Sequence, residues 1–172
     1  MTKTLILFRH AKSSWKENVA DHERPLAERG RKAAPVMARW LAARGPGPAL
    51  ALVSTARRTQ ETWSLAAPLL GKVGKRDVAG LYEATAGRIL DAIRSVEPSA
   101  DTLLVIGHNP GLEDLARRLM RDDGGDAGRR IARKFPTAAV AILSLPVECW
   151  TEVEPGTAAL EDFMTPTMLK EP

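Results

Sequence analysis

Four short apolar runs, separated by stretches with helical periodicity, constrain this chain more than any other feature. The runs are Thr4 to Phe8, Leu50 to Val53, Leu103 to Ile106 and Ala138 to Leu145. Most are rich in Val, Ile and Leu, as parallel strands covered on both faces tend to be. Between them, Ala33, Val36, Met37, Trp40 and Leu41 share one face of a helix that ends near Gly45. Trp63, Ala66, Ala67 and Leu70 form a second stripe, and Ile89, Leu90, Ile93 and Val96 a third, stopped by Pro98. Leu112, Leu115, Ala116, Leu119 and Met120 form a fourth, stopped by Gly124 and Gly125. Such stripes are core-facing. Strand–helix alternation predicts an α/β domain over residues 1–172: a three-layer sandwich, a mostly parallel central sheet with helices on both faces. Arg121 to Gly128 reads as a polar loop, and the tail after Gly156 as less regular, with Leu160, Phe163, Met164 and Leu169 able to pack back.

Composition narrows the function classes. A length of 172 residues suits one domain, and 44% hydrophobic content gives an ordinary core. The single cysteine, Cys149, forms no internal disulfide, which fits a reducing compartment. The apolar run Leu5 to Phe8 is too short for a signal peptide or membrane span, so the expected location is the cytoplasm and no membrane partner is expected. The formal charge of +4 favours anionic ligands without singling out nucleic acid. Arg129, Arg130, Arg133 and Lys134 form the densest basic cluster. Few aromatics interleave with it, so it reads as solvated surface and not as a nucleic-acid platform.

Three predicted strand ends carry unusual residues. The first ends in Arg9-His10, the second in Ser54-Thr55-Ala56-Arg57-Arg58, and the one near residue 105 in Gly107-His108-Asn109-Pro110-Gly111. In open α/β sheets ligands bind beyond the carboxyl ends of the strands, so parallel neighbours would bring all three groups to one crevice. Ser54 or Thr55 can cap the next helix, which places Arg57 and Arg58 in its first turn. Two arginines at the positive end of a helix dipole make sense when an anion binds between them. Asn109 is a good N-cap and Pro110 suits a first helical position, which leaves His108 at the strand-to-helix turn. Arg9 beside His10 favours a neutral, nucleophilic imidazole, and histidine can carry a covalent phosphoryl group. Positioned cations do most of the work in phosphoryl transfer. There is no Walker loop, paired-cysteine motif, HExxH or EF-hand pattern, so neither metal nor cofactor is expected.

At these residues the chain resembles the histidine phosphatase superfamily, the phosphoglycerate-mutase-like proteins. Leu7-Phe8-Arg9-His10-Ala11 resembles its Arg-His-Gly signature, with Ala11 in place of the common Gly. Ser54 to Thr62 resembles its second motif, in a register that selects Arg58 over Arg57. Gly107-His108-Asn109-Pro110 resembles the motif of the second histidine. The Arg-His-Ala-Lys-Ser-Ser-Trp opening, Arg24-Pro25-Leu26 and the Gly-His-Asn-Pro-Gly run look most like the small SixA-type phosphohistidine phosphatases. The likeness covers residue 4 to about 145, with a weaker echo at Phe163 to Pro166.

The resemblance implies that His10 accepts the phosphoryl group, that Arg9 and Arg58 bind phosphate, and that His108 stabilises the transition state. Larger members take their general acid from a Leu-x-Glu context, which Leu81-Tyr82-Glu83 matches, and Asp21 is the alternative. Gly71 to Leu81 is too short for the roof that larger members build, so an open site without a lid domain is expected. Such a site suits phosphohistidine on a protein. The alternatives are a small phosphorylated metabolite or a non-catalytic phosphate-binding module.

Overall fold

The computed structural model describes residues 1–170. Strand β1 (Lys3–Arg9) shows why helices must cover both faces of the sheet. Leu5 and Leu7 point to one side, Ile6 and Phe8 to the other, and all four are buried. Helices α1 (Glu28–Ala42) and α2 (Arg57–Ala66), on either side of β2 (Leu50–Ser54), cover the Ile6 face with Met37, Leu41 and Trp63. After β3 (Gly74–Val78), helix α3 (Ala86–Arg94) covers the Leu5 face with Ile89 and Ile93. Strand β4 (Thr102–Gly107) leads into α4 (Gly111–Leu119), which adds Leu115 and Leu119 to that face. Then follow α5 (Gly125–Arg133), β5 (Val140–Leu145), β6 (Ala159–Met164) and α6 (Pro166–Lys170). Burying one Leu, Ile, Val or Phe side chain is worth about 1.5–3 kcal/mol, so two such cores hold the sheet from both sides.

The sheet has the order β3-β2-β4-β1-β5-β6. The pairs β3·β2, β2·β4 and β4·β1 are parallel; β1·β5 and β5·β6 are antiparallel. It is therefore the expected α/β layering with a mostly parallel sheet, in which β5 alone runs against the others. The three strands with unusual ends, β2, β4 and β1, lie side by side and point the same way.

Four local expectations change. Strand β3, Gly-Lys-Arg-Asp-Val, has an almost wholly exposed edge position and no apolar run to betray it. The expected loop Arg121 to Gly128 gives way to α5 at Gly125. Asp122 and Asp123 accept from the Gly124 and Gly125 N–H groups, and Gly124 takes φ 73°. Along α5 the buried residues are Gly128 and Ile131, too few to make an apolar stripe. Ala138 lies outside β5, at φ 64°. The irregular tail contains β6, on which Phe163 packs into the core as expected.

Helix α1 presses on the segment that follows β1. A Cβ on the buried Gly30 would stand 2.2 Å from the Lys12 carbonyl oxygen. Gly30→Ala should therefore cost about 1–3 kcal/mol, the usual scale of overpacking, read as a lower urea midpoint with an unchanged slope. A midpoint equal to wild type would show that the α1 contact is loose.

Candidate active site

The carboxyl ends of β1 and β4 are joined one residue beyond the strand by the His10 N–H, which donates to the Gly107 carbonyl at 3.0 Å. The His10 carbonyl accepts from the Ala138 N–H at 2.9 Å, and the Ala11 N–H donates to Thr62 Oγ1 at 3.0 Å. The Thr62 hydroxyl in turn donates to the Arg58 carbonyl at 2.7 Å, which ties the first turn of α2 to the end of β1. His10 and His108 are 6% and 7% exposed, with ring centroids 5.3 Å apart.

His10 Nδ1 lies 2.8 Å from the Ala11 carbonyl oxygen. A carbonyl can only accept, so Nδ1 carries the ring proton and Nε2 keeps its lone pair. Burial lowers the His10 pKa to about 3, helped by His108, Arg58 and Arg9 and opposed by the Ala11 hydrogen bond. Desolvation, more than the neighbouring Arg9, keeps this imidazole neutral. His108 is lowered to about 4, again first by burial and then by Arg58. Its Nε2 lies 2.7 Å from Ser54 Oγ. When the Ser54 hydroxyl donates to Nε2, the ring proton of His108 sits on Nδ1.

The two arginines are anchored in parallel ways. Arg9 Nη1 donates to the Phe135 carbonyl at 2.9 Å, and the same oxygen accepts from Asn109 Nδ2 at 3.1 Å. Arg58 Nη1 donates to the Asp21 carbonyl at 2.8 Å, and Nη2 to Asp21 Oδ2 at 3.2 Å. Burial and the Arg58 charge hold Arg9 below its ordinary pKa. Arg9 Nε, Arg58 Nε and His108 Nδ1 are buried and have no hydrogen-bond partner among the described residues. A buried donor without a partner costs about 1–3 kcal/mol until a ligand supplies an acceptor.

The structure thus groups Arg9, His10, Arg58 and His108. Arg57 is not part of the group: it is half-exposed and paired with Glu61 and Glu17. The caps differ from expectation. Ala56, whose methyl cannot cap, is the N-cap of α2, while Ser54 Oγ lies against His108 Nε2 and Thr55 Oγ1 lies 3.0 Å from His22 Nε2. Pro110 is the N-cap of α4, while Asn109 Oδ1 still accepts from the Glu113 N–H at 3.2 Å. Glu83 is exposed at the rim with φ 55°, next to Tyr82, whose ring stands edge-on to His108 at 5.5 Å. Asp21 accepts from Tyr82, Arg58 and Arg24, and its pKa falls to about 2, with the Tyr82 bond the largest cause. It is a carboxylate at neutral pH, held as an acceptor by three side chains.

Sequence reasoning passed over His22 and Tyr82. The His22 ring lies edge-on to Tyr82 at 4.8 Å, so all three histidines of the chain gather here. The rarity of histidine was a usable signal for His22. The Phe135 carbonyl had none, because a backbone oxygen leaves no mark in a sequence.

The sheet thus carries two histidines and two anchored arginines together beyond the ends of its parallel strands. The sequence profile of the histidine phosphatase superfamily (branch 1) matches residues 5–92, and the chain belongs to that superfamily; it is a phosphatase of the histidine class. It is 40% identical over 163 residues to an uncharacterised protein of Mycobacterium tuberculosis, a match covering 92% of this chain and 99% of that one. A structure assigned as a phosphohistidine phosphatase SixA from Nakamurella multipartitia superposes with a TM-score of 0.86 at 29% identity, covering 96% of this chain and 97% of the other. The fold is also that of the protein histidine phosphatase SixA solved with tungstate, with a TM-score of 0.78, 21% identity and coverage of 96% and 99%.

The buried histidines set a pH dependence of stability. Each binds a proton more readily unfolded, at about 6.5, than folded, at about 3 for His10 and about 4 for His108. The unfolded chain therefore takes up protons first as pH falls. The stabilisation is intact above about pH 6.5 and is lost toward pH 4 and below, by about 1.4 kcal/mol per pH unit for each histidine. Urea midpoints between pH 7 and 5 should fall more steeply for wild type than for His10→Asn. Parallel curves would mean that His10 titrates normally in the fold.

Proposed function

We propose that this protein removes a phosphoryl group from phosphohistidine on a protein, through a covalent intermediate on His10. One observation carries the reading: a neutral His10 with its proton fixed on Nδ1 is grouped with the buried Nε atoms of Arg9 and Arg58 and Nδ1 of His108, which have no partner among the described residues. In the first step the Nε2 lone pair forms a bond to phosphorus as the bond to the leaving group breaks. Arg9, Arg58 and His108 hold the equatorial oxygens, where the transferring group spreads its charge. In the second step water attacks phosphorus, the P–Nε2 electrons return to His10, inorganic phosphate departs, and the proton of the water passes to a rim carboxylate. Glu83 is our choice for that carboxylate and for the acid of the first step. Its left-handed backbone at the site rim is the kind of strain that functional positions hold.

No roof stands between α2 and α3: the connection is the five-residue edge strand β3 and a short turn, Ala79–Leu81. A phosphate carried on a protein surface can reach such a site. The leaving group argues the same way. A phosphohistidine protonated on its other nitrogen leaves as neutral imidazole and leans little on an enzyme acid, whereas an alkoxide needs a proton in the transition state. Arg9 and Arg58 already set positive charge against the phosphoryl group, so we expect turnover to survive a chelator.

Rapid quench of the wild type with a phosphohistidine protein should trap acid-labile phosphate on His10, and His10→Ala should lose both the adduct and turnover while keeping its fold. Arg58→Ala should cost roughly a hundredfold or more, about 3 kcal/mol of transition-state stabilisation, and Arg57→Ala far less. An adduct on another residue, or equal losses at the two arginines, would overturn the assignment.

Substrate choice is tested through Glu83. Glu83→Gln should slow alkyl phosphate hydrolysis by about 10²-fold or more, the scale of general acid catalysis, and slow phosphohistidine hydrolysis much less. Equal losses on both substrates would move Glu83 to the water-activating step, and no loss on either would remove it from the chemistry.

A further inference from the structure

Asp21 does work that proton donation does not describe. Both of its acceptor types are directed at Arg58: the main-chain carbonyl takes Nη1 at 2.8 Å and the carboxylate takes Nη2 at 3.2 Å. This grip covers the end of the guanidinium that carries the two terminal nitrogens. The remaining edge, formed by Nε and the second Nη2 hydrogen, is left for a ligand, and Nε is the atom that is buried without an acceptor. Asp21 is itself held. Its Oδ1 accepts from Arg24 Nε at 3.1 Å, and its Oδ2 accepts from the Tyr82 hydroxyl. Arg24 is 7% exposed, donates to Ser13 Oγ and the Ser14 carbonyl, and lies under the ring of Trp15, 3.4 Å from its centroid. A surface carboxylate serving only as a turn cap would not need a buried arginine and a tyrosine to fix it.

We propose that Asp21 is the positioning residue of the phosphate clamp: it fixes the outer end of Arg58 so that the Nε edge meets the phosphoryl group, and its negative charge keeps that group from binding too tightly. The second half follows from electrostatics. A fixed carboxylate on the far side of the guanidinium repels a dianion held on the near side, and the repulsion is felt by the product as well as the substrate. The clamp is thus aimed for the transition state without trapping inorganic phosphate, which binding alone would favour. The proposal rests on the phosphatase reading above, in which Arg58 binds the transferring group.

The test combines kinetics on an aryl phosphate with calorimetric titration of inorganic phosphate into the full-length protein. Asp21→Ala should lower kcat by about tenfold or more, as misplacement of a clamp does, while phosphate binds about threefold or more tighter. Asp21→Asn keeps an acceptor for Nη2 and removes the charge. It should recover most of kcat and retain the tighter phosphate binding. In an Arg58→Ala background, Asp21→Ala should no longer lower kcat, while phosphate should still bind tighter, because the repulsion comes from the carboxylate itself. A residue that merely supports the fold would lower kcat and weaken phosphate binding together. That result, or a loss of kcat on Asp21→Ala that persists without Arg58, would overturn the proposal. A wild type inactive on every phosphorylated substrate would instead overturn the functional reading, and the phosphate titrations, which need no turnover, would still decide the role of Asp21.

Discussion

The hydrogen bond from the His10 N–H to the Gly107 carbonyl fixes the geometry on which the site depends. It continues the parallel β1·β4 ladder, in which Arg9 faces Gly107, for one residue past the strand. Two chain segments that would otherwise diverge into separate loops leave the sheet at the same height. Their next residues are the two histidines. Because β4 lies between β1 and β2, the same plane also carries Ser54, and with it the start of α2 and Arg58. A register slip of one residue in a strand would turn its side chains to the opposite face, and both faces here are packed core. Close packing of unequal side chains on the two faces thus holds the register, and the register holds the two histidines and Arg58 together.

Putting two arginines and two imidazoles into a largely buried site is unfavourable, and the protein offsets it in three ways. The imidazoles stay neutral, so burial costs them little charge. Each guanidinium is given backbone carbonyls: Phe135 for Arg9 and Asp21 for Arg58. Asp21 adds one full negative charge to the Arg58 pair. What remains is positive potential, already assembled, which on the function proposed above meets an incoming oxyanion. Preorganisation of this kind lowers a barrier because no dipole has to turn during the reaction.

The amino-acid sequence displayed the buried half of this design far better than the exposed half. Strands β1, β2 and β4 were legible because both faces are covered, which leaves an unbroken apolar run. Strand β3 was not, since an edge strand of Gly, Lys, Arg, Asp and Val satisfies its neighbour through backbone bonds alone. Helix α5 was hidden for a similar reason, with Ile131 its one large buried side chain. In the site, the residues at strand ends could be named because side-chain chemistry at a strand terminus is unusual. Their relations could not. Ser54 looked like a helix cap and proves to be the partner of His108. Asp21 looked like a spare acid and is clasped by two arginines and a tyrosine. Such pairings join positions as far apart as Arg9 and Phe135, 126 residues, and only the folded chain brings them together.

The left-handed backbone at Glu83 has a physical source in the packing around it. A Cβ on Gly111 would stand 2.3 Å from the Ala84 carbonyl oxygen, so the turn from β4 into α4 rests directly on the backbone beside Glu83. Only a glycine at position 111 permits that approach, which explains its place at the end of the Gly107 to Gly111 run. Ala84 is itself drawn in: it is 8% exposed and its N–H donates to the Leu81 carbonyl. With Leu81 buried on one side and Ala84 on the other, the two residues between them must turn outward toward the site. Tyr82 then meets His108 and Asp21, and Glu83 takes a positive φ to complete the turn. The position of the rim carboxylate and that of the second histidine are therefore two consequences of one close contact, between the start of α4 and the approach to α3.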